Sequence, residues 1–306
     1  MNIQQVIDDI NTDVRSRLSQ FEGAVASYIP ALAEVDSEQF AMAVHTVDGQ
    51  TFSTGDVDVP FTIQSVSKVL TLTLALQRYG NSLWHRVGKE PSGTAFNSLT
   101  QLEFEQGIPR NPFINAGAIV TCDALYSRLS APTHHMLETV RWLSGNPRVC
   151  INQTVSRSEF QHRHRNAAMA HLMTSFGNFE NDVEEVLKVY FGFCAIEMNC
   201  QELARTFGYL ANRGVDIASG ERILTSKQNS QLNSLLFTSG LYDAAGDFAY
   251  RVGMPGKSGV GGAIVAVVPG QFAVSVWSPK LNAFGNSSAG LYALEQFADR
   301  LSLHLF

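Results

Sequence analysis

The sequence predicts an α+β fold, in which an antiparallel sheet built from both chain ends carries flanking helices and an inserted helical domain. β-rich runs lie near both ends of the 306-residue chain, whereas segments of helical periodicity fill its middle. We expect a discontinuous sheet subdomain at residues 1–75 and 250–306 and a helical subdomain at 76–249. The active site is expected between the two subdomains.

The first part of the chain contains two signals of different period. Residues 3–18 place Ile and Val at helical spacing among acidic residues, which predicts an amphipathic helix. Residues 39–53 instead alternate apolar and polar side chains around Asp48-Gly49, a pair suited to a type I′ turn. We therefore predict a β-hairpin at 39–53.

The middle of the chain is predicted to be helical and the end to return to the sheet. Two β-rich runs, Ala263–Val268 and Phe272–Trp277, meet at Pro269-Gly270, and a helix at 288–303 closes the chain. The helices predicted between the chain ends are 65–79, 115–129, 136–143, 166–175, 182–193, 200–212 and 226–236.

The composition excludes several classes of protein. Apolar residues make up 45% and charged residues 16% of the chain, which is typical of a folded globular protein. The net charge of -6 argues against a nucleic-acid partner. No segment reaches the roughly 18 apolar residues that a membrane span needs, and the N-terminal residues do not resemble a secretory signal. We predict a cytoplasmic protein with no membrane partner.

The cysteine and histidine residues do not predict a metal site. No C-x-x-C spacing occurs, so in a cytoplasmic protein we expect four reduced and mostly buried thiols. The run HRHRN alternates histidine with arginine, which would repel a cation, and predicts a solvated basic patch. His134 and His135 are expected in a surface loop that begins at Pro132. The cysteines are Cys122, Cys150, Cys194 and Cys200, and the clustered histidines are His162, His164 and His171.

Ser65 and Lys68 form the most informative pair. They lie three residues apart at the predicted start of a helix, so their side chains project from one face of its first turn. A serine hydroxyl needs a neighbour to take its proton, and a lysine can do so where burial keeps it neutral. The free N–H groups of the helix N-terminus can stabilise an oxyanion. A lone S-x-x-K occurs often by chance, and its default interpretation is a helix start with a solvated lysine.

A second motif strengthens this interpretation. Lys257-Ser258-Gly259 immediately precedes a predicted strand, and serine acyl-transfer enzymes of the penicillin-recognising type pair S-x-x-K with a K-[ST]-G triplet on a facing strand. The backbone N–H near Val260 is a candidate partner for that of Ser65 in an oxyanion hole. The S-D-N element of ordinary β-lactamases is absent. A simple turn remains the alternative for Lys-Ser-Gly.

Six segments, taken in order, carry a family resemblance: FTIQSVSKV, VGKEPSGTAFNSL, GIPRNPFINAGAI, SEFQHRHRNAA, NCQELARTFGYLANRG and KSGVGGAIVAVVP. Together they resemble the bacterial glutaminases of the serine-dependent, β-lactamase-like family. The resemblance runs from about residue 28 to the closing helix, with no departure at the family's catalytic or substrate-binding positions.

The resemblance implies a β-lactamase and penicillin-binding-protein-like fold, and hydrolysis of L-glutamine to L-glutamate and ammonia without a metal or organic cofactor. It also implies a homotetramer. It assigns Ser65 as the nucleophile and Lys68 as the base. The tyrosine of the Tyr-Ile-Pro segment, Tyr28, joins Tyr190 and Tyr242 in the catalytic set. The substrate contacts that it implies are Gln64, Ser65, Asn115, Glu159, Asn166, Tyr190, Tyr242 and the backbone of Val260.

These residue types suit free glutamine, which carries an α-ammonium and an α-carboxylate besides its side-chain amide. Glu159 can face the ammonium, while Asn115 and Asn166 can donate to the carboxylate. We hypothesise that Ser65 attacks the amide carbon and that Lys68, alone or with a tyrosine, moves the proton. Either Tyr190 or Tyr242 helps to protonate ammonia, and water resolves a glutamyl ester. Taken singly, each of these residues also has an interpretation without a function, namely as a surface charge, a helix cap or part of the core packing.

Two other functions are compatible with parts of the sequence. A β-lactamase or penicillin-recognising acyl transferase would share Ser65, Lys68 and Lys257, but its substrates lie outside the cytoplasm. A non-catalytic module that binds an amino acid would keep the pocket without turnover. Nothing in the sequence disables the site, and no signalling domain is attached.

Overall fold

The computed structural model describes residues 2–27, 29–93 and 97–303 and shows a mixed α and β architecture. Its strands are β1 (Ala41–Thr46), β2 (Thr51–Gly55), β3 (Phe61–Thr62), β4 (Cys150–Ile151), β5 (Ile196–Met198), β6 (Gly256–Ser258), β7 (Ala263–Val268) and β8 (Phe272–Trp277). Its helices are α1 (Ile3–Ser16), α2 (Ser67–Tyr79), α3 (Leu99–Phe104), α4 (Asn115–Tyr126), α5 (Pro132–Ser144), α6 (Gln153–Gln161), α7 (His164–Ser175), α8 (Val183–Cys194), α9 (Cys200–Thr206), α10 (Gly208–Ala211), α11 (Ser226–Ser239), α12 (Ala245–Arg251) and α13 (Ser288–Leu301).

The larger sheet joins strands from both ends of the chain. Its order is β2-β1-β8-β7-β6, and every neighbouring pair is antiparallel. The β1–β2 hairpin turns at residues 46–49, where the N–H of Gly49 donates to the carbonyl oxygen of Thr46. Only Gly49 has a positive φ, +88°, so the turn is not the type I′ turn expected at Asp48-Gly49, which needs positive φ at both central residues. Strand β1 then pairs with β8 from Ala41 opposite Trp277 to Thr46 opposite Phe272.

The two faces of this sheet pack against different helical layers. Met42 and Val44 point toward one face, where they join a buried cluster with residues of α1 and α13. Ala41 and Ala43 point to the other face and belong to the core that continues into the inserted helices. This alternation follows from the two-residue period of a strand. The sheet is therefore buried on both sides by helices.

The inserted helices pack around α4. This helix contacts α2, α7 and α8, and its residues from Ala116 to Leu125 are all buried. A helix that is apolar around its whole circumference has to lie inside the protein, which accounts for its central place. Because Asn115 is the first residue of α4, its side chain reaches the edge of this core rather than its centre.

A small three-stranded sheet connects the segment before Ser65 to the helical region. Its order is β3-β5-β4, with Phe61 opposite Met198 and Cys150 opposite Glu197. Each strand has only two or three residues, so its sequence carries no measurable alternation. This sheet went unpredicted, and it fixes the chain immediately before the S-x-x-K motif.

The predicted fold class is confirmed: the antiparallel sheet is built from both chain ends, terminal helices flank it, and helices lie between. The division into subdomains at 1–75, 76–249 and 250–306 stays a prediction. The hairpin, β7, β8 and the closing helix lie where the sequence indicates. The helices α3, α6 and α12 were not predicted.

Three local predictions were wrong. The helix expected at 65–79 begins at Ser67, because residues Gln64–Val66 form a 3₁₀ turn. The helix expected at 200–212 is divided into α9 and α10. Pro132 occupies the first turn of α5 rather than a loop, so His134 and His135 are helical. Proline suits that position because its missing N–H has no partner in a first turn.

The four cysteines are free, with Cys150 exposed and the other three buried. Across the described ranges, none of the helices combines the length and apolar character that a bilayer span requires.

Candidate active site

An open cavity of about 370 Å³ brings together most of the residues assigned from the sequence. Lys68 lies buried just behind its wall, and Tyr28 falls outside the described residues. The predicted residues that line the cavity are Gln64, Ser65, Asn115, Glu159, Asn166, Tyr190, Tyr242 and Val260. They come from α4, α6, α7 and α8, and from the segments beside the larger sheet, so sequence-distant elements meet here.

Ser65 occupies the 3₁₀ turn between β3 and α2 and is half-buried at the cavity wall. The preceding residue, Gln64, has a φ of +49°, an uncommon conformation for a residue other than glycine. The surrounding hydrogen bonds hold it there, because its Nε2 atom donates to Thr62 Oγ1 at 3.1 Å and to Glu159 Oε1 at 3.0 Å. The turn thus points Ser65 and Gln64 together toward the cavity.

Lys68 is 1% exposed, and its Nζ atom donates to the carbonyl oxygen of Phe113 at 3.1 Å and to Asn115 Oδ1 at 2.7 Å. Burial disfavours the ammonium and lowers the pKa of Lys68 to about 8, although the nearby Cys194 and Glu159 oppose this shift. A lysine with this pKa is partly neutral near pH 7 to 8 and can accept a proton.

Glu159 is the buried carboxyl group of the site. Burial raises its pKa to about 8, against the opposing effects of the hydrogen bond from Gln64 and the charge of Lys68. A carboxyl group that is costly to ionise gains most from a cation placed against it. Its place on the cavity wall therefore suits a positively charged ligand group.

Asn115 links the lysine to the far wall of the cavity. Its Oδ1 atom accepts from Lys68, and its Nδ2 atom donates to Asn166 Oδ1 at 3.0 Å. The Nδ2 groups of Asn115 and Asn166 retain donor capacity, since each amide has two N–H bonds. The expectation that both asparagines offer donors to a carboxylate remains compatible with these contacts.

Tyr190 and Tyr242 are buried in the cavity wall, to which they come from distant segments of the chain. Burial raises the pKa of each hydroxyl, so both stay protonated and act as donors at neutral pH. The Tyr242 hydroxyl lies 3.4 Å from the carbonyl oxygen of Ser258, and its interaction with the Ser65 side chain opposes the effect of burial on its pKa. Tyr190 instead lies near Cys194 and Glu159.

The strand that carries Lys257 and Ser258 passes very close to the Ser65 turn. A Cβ atom added to Gly259 would lie 2.7 Å from the carbonyl oxygen of Ile63 and 3.3 Å from the Ser65 nitrogen. Only glycine fits this approach without a shift. Among the described residues, the backbone N–H groups of Ser65 and Val260 donate to no backbone oxygen, and both residues line the cavity. Both N–H groups are therefore candidate donors to a ligand oxygen in the cavity.

Sequence reasoning missed some of the cavity lining. Cys194 reaches the cavity because it follows Tyr190 by four residues on α8 and shares its face. His162 and Arg165 were interpreted only as a solvated basic patch, and they are exposed as expected, yet they stand at the mouth of the cavity. Arg165 is held there by a hydrogen bond from its Nε atom to the carbonyl oxygen of Asn97 at 3.0 Å.

Known proteins resemble this chain over nearly its whole length. The profile of the family described as Glutaminase matches residues 23–306. A glutaminase of Pseudoalteromonas translucida is 69% identical over 303 residues, which cover 99% of this chain and 98% of that protein. A glutaminase of Pseudomonas fluorescens is 57% identical, covering 99% of this chain and 100% of the relative.

Solved structures agree with these sequence matches. A probable glutaminase designated ybaS superimposes with a TM-score of 0.93 at 36% identity, covering 99% of this chain and 98% of its own. A probable glutaminase from Bacillus subtilis, complexed with 6-diazo-5-oxo-L-norleucine, gives a TM-score of 0.88 at 31% identity, covering 100% of this chain and 98% of its own. The chain therefore belongs to the glutaminase family and is an enzyme that hydrolyses glutamine.

Proposed function

We propose that this glutaminase converts L-glutamine to L-glutamate and ammonia through a glutamyl ester on Ser65. The observation that carries the proposal is the pairing of a cavity-facing serine with Lys68, whose burial lowers its pKa to about 8. An ordinary exposed lysine is protonated at neutral pH and cannot act as a base, whereas this one is partly neutral.

Charge and hydrogen-bonding groups of the cavity give glutamine one orientation. The α-ammonium faces Glu159, whose carboxylate form it stabilises, and the α-carboxylate faces the amide donors of Asn115 and Asn166. The side-chain amide then extends toward Ser65, with its oxygen at the N–H groups of Ser65 and Val260. Selection for an amino acid follows, because a ligand without these charges leaves buried polar groups unpaired.

Acylation forms the bond between Ser65 Oγ and the side-chain carbonyl carbon. The hydroxyl proton passes to Lys68, and the Tyr242 side chain lies beside the serine. The carbonyl oxygen becomes an oxyanion and is held by the two backbone N–H groups. When the carbon–nitrogen bond breaks, the leaving nitrogen takes a proton from the Tyr242 hydroxyl and departs as ammonia, and the proton held by Lys68 returns to the tyrosine.

Deacylation is the hydrolysis of the glutamyl ester, in which water takes the place of the serine as the attacking group. A water molecule gives a proton to neutral Lys68 as its oxygen attacks the ester carbon, and the same proton passes to Ser65 Oγ as the bond to the ester carbon breaks. Glutamate leaves with a new side-chain carboxylate. We assign the proton donation to the leaving nitrogen to Tyr242 rather than to Tyr190, because Tyr242 interacts with the Ser65 side chain whereas Tyr190 lies beside Cys194 and Glu159.

The test compares purified wild-type protein with Ser65→Ala and with Ser67→Ala as a matched control. Ser67 is a neighbouring buried serine whose hydroxyl contacts Cys194 Sγ at 4.0 Å. We expect ammonia and glutamate from glutamine in wild type and Ser67→Ala, and almost none in Ser65→Ala at unchanged circular dichroism. Asparagine and a chromogenic β-lactam serve as parallel substrates.

A covalent probe tests the nucleophile directly. We expect 6-diazo-5-oxo-L-norleucine to add one label per chain to wild type, detected by intact mass, and none to Ser65→Ala. Substantial turnover or labelling in Ser65→Ala would refute the serine mechanism. Cleavage of the β-lactam in place of glutamine would favour the acyl-transferase alternative, and binding without turnover would favour the amino-acid-binding module.

We also propose that the chain assembles as a homotetramer. An exposed apolar patch supports self-association: Phe104 is 82%, Ile108 42% and Phe176 44% exposed. The three residues are neighbours, because the Phe176 side chain packs against Gly107. Exposed apolar clusters of this kind mark protein interfaces.

A further inference from the structure

Lys257 is a second buried lysine, and the mechanism above gives it no role. It lies on β6 with 0% of its surface exposed. Its Nζ atom donates to the carbonyl oxygens of Gly240 at 2.8 Å and Ser258 at 2.6 Å. Among the described residues, no carboxylate forms an ion pair with it. Burying an amine without an acidic partner is costly, so its surroundings need an explanation.

All the contacts of the Lys257 amine lead to Tyr242. Gly240 directly follows α11 and lies two residues before Tyr242, so the first hydrogen bond fixes the main chain that leads to the tyrosine. The second goes to the Ser258 carbonyl, which is also 3.4 Å from the Tyr242 hydroxyl. The Nζ atom itself lies 4.1 Å from the centroid of the tyrosine ring.

Tyr242 needs such support because its backbone is strained. Its φ is +54°, a conformation that a bulky residue adopts only when its surroundings impose it. The main chain just before Tyr242 is also closely packed against β6, since a Cβ atom on Gly240 would lie 1.7 Å from the carbonyl oxygen of Gly256. Lys257 thus contacts three groups around Tyr242: the main chain that precedes the tyrosine, the face of the tyrosine ring, and the carbonyl group beside the tyrosine hydroxyl.

We propose that Lys257 is a positioning residue that holds the Tyr242 hydroxyl at Ser65. The proposal rests on the proposed function, in which that hydroxyl acts on the proton of the serine. Lys257 does not touch substrate, because it does not line the cavity. Its effect on turnover passes through the tyrosine, and it is expected to vanish when the tyrosine hydroxyl is absent.

A double-mutant cycle tests this dependence with Lys257→Met, Tyr242→Phe and the double variant. Methionine fills the volume of the lysine but cannot donate a hydrogen bond. We expect Lys257→Met to lower kcat/KM for glutamine by about tenfold in the wild-type background, as for loss of a buried hydrogen bond that holds a catalytic group. In the Tyr242→Phe background the same change is expected to lower it less than about threefold.

Two outcomes overturn the proposal: wild-type activity in Lys257→Met, or an equal loss in both backgrounds. The second result would show that the lysine acts on the fold or on another group. Lys280→Met is the matched control, because its Nζ atom contacts Leu18 and Glu38 and the residue does not line the cavity, and its activity is expected to remain unchanged.

Folding is checked by thermal melting of every variant. If Lys257→Met does not fold, Lys257→Gln replaces it in the cycle, because its amide is neutral and retains two donors for the same carbonyls. The labelling of Ser65 keeps this proposal separate from the previous one. An inert, unlabelled Ser65→Ala together with a fully active Lys257→Met refutes only the positioning role, whereas a labelled or active Ser65→Ala refutes the serine mechanism itself.

Discussion

The contact of Gly259 with the Ser65 turn predicts that the variant Gly259→Ala loses most of its activity. The added methyl group would lie 2.7 Å from the carbonyl oxygen of Ile63, so the strand segment and the turn have to separate by about 0.7 Å to restore ordinary contact. The same methyl group would lie 3.3 Å from the Ser65 nitrogen. The shift therefore acts on the two N–H groups proposed to hold the oxyanion.

The expected size of the loss follows from catalysis rather than from stability. Misplacing or removing one oxyanion donor costs roughly 100-fold to 1,000-fold in kcat, and we expect about 100-fold for a shift that weakens the pair. KM for glutamine should change less, because the groups that face its α-ammonium and α-carboxylate are elsewhere. Overpacking should cost about 1 to 3 kcal/mol of the free energy of unfolding.

The assay measures glutamate release against glutamine concentration, together with urea unfolding. Gly246→Ala is the matched control: a Cβ atom there meets nothing within 4 Å, and Gly246 lies in α12. The control should keep wild-type activity and stability. If Gly259→Ala were as active as Gly246→Ala, the close approach would not serve catalysis, and the oxyanion assignment would have to be abandoned.

Two further predictions concern the carboxyl group and the apolar patch. Glu159→Gln should weaken glutamine binding by about 1.5 to 3 kcal/mol, seen as a higher KM, and an unchanged KM would show that the ammonium binds elsewhere. Because Glu159 and Lys68 have pKa values of about 8 and both must lose a proton, kcat/KM should rise steeply with pH up to about 8. In Glu159→Gln the rise should approach a single-proton slope, and an equally steep rise there would exclude this carboxyl group as one of the two. Phe176→Glu should dissociate the proposed tetramer in light scattering without changing the circular dichroism, and a wild-type mass would remove this patch from the interface.

The elements that the sequence predicts well are those with a local cause. The hairpin follows from the turn chemistry of Asp48-Gly49, and the long helices follow from their apolar spacing. The strands β4 and β5 have two and three residues, too few for any period, and exist because their partners lie nearby in space. The 3₁₀ turn at Ser65 is likewise imposed by tertiary contacts of Gln64, which local propensity does not contain.

The residues of the candidate site also differ in whether a local sequence pattern predicts them. Ser65 and Lys68 are recognisable from their spacing, because both belong to one turn of chain. Glu159 and Gln64 are 95 residues apart, and only the family resemblance predicted that both belong to the site. The contact of Lys257 with Tyr242 had no signal of its own, since a buried lysine and a solvated one look the same in a sequence.

The order of the larger sheet has a consequence for how the enzyme is made. Strand β8, almost the last element of the chain, lies between β1 and β7 in the middle of the sheet. A ribosome-bound chain that lacks β8 cannot join its first hairpin to the strands near the Lys257 segment, so the oxyanion donors cannot yet face each other. Sheets closed by such distant pairings form late, because the whole intervening loop must be ordered first. The nascent protein is thus expected to stay inactive until β8 has been synthesised.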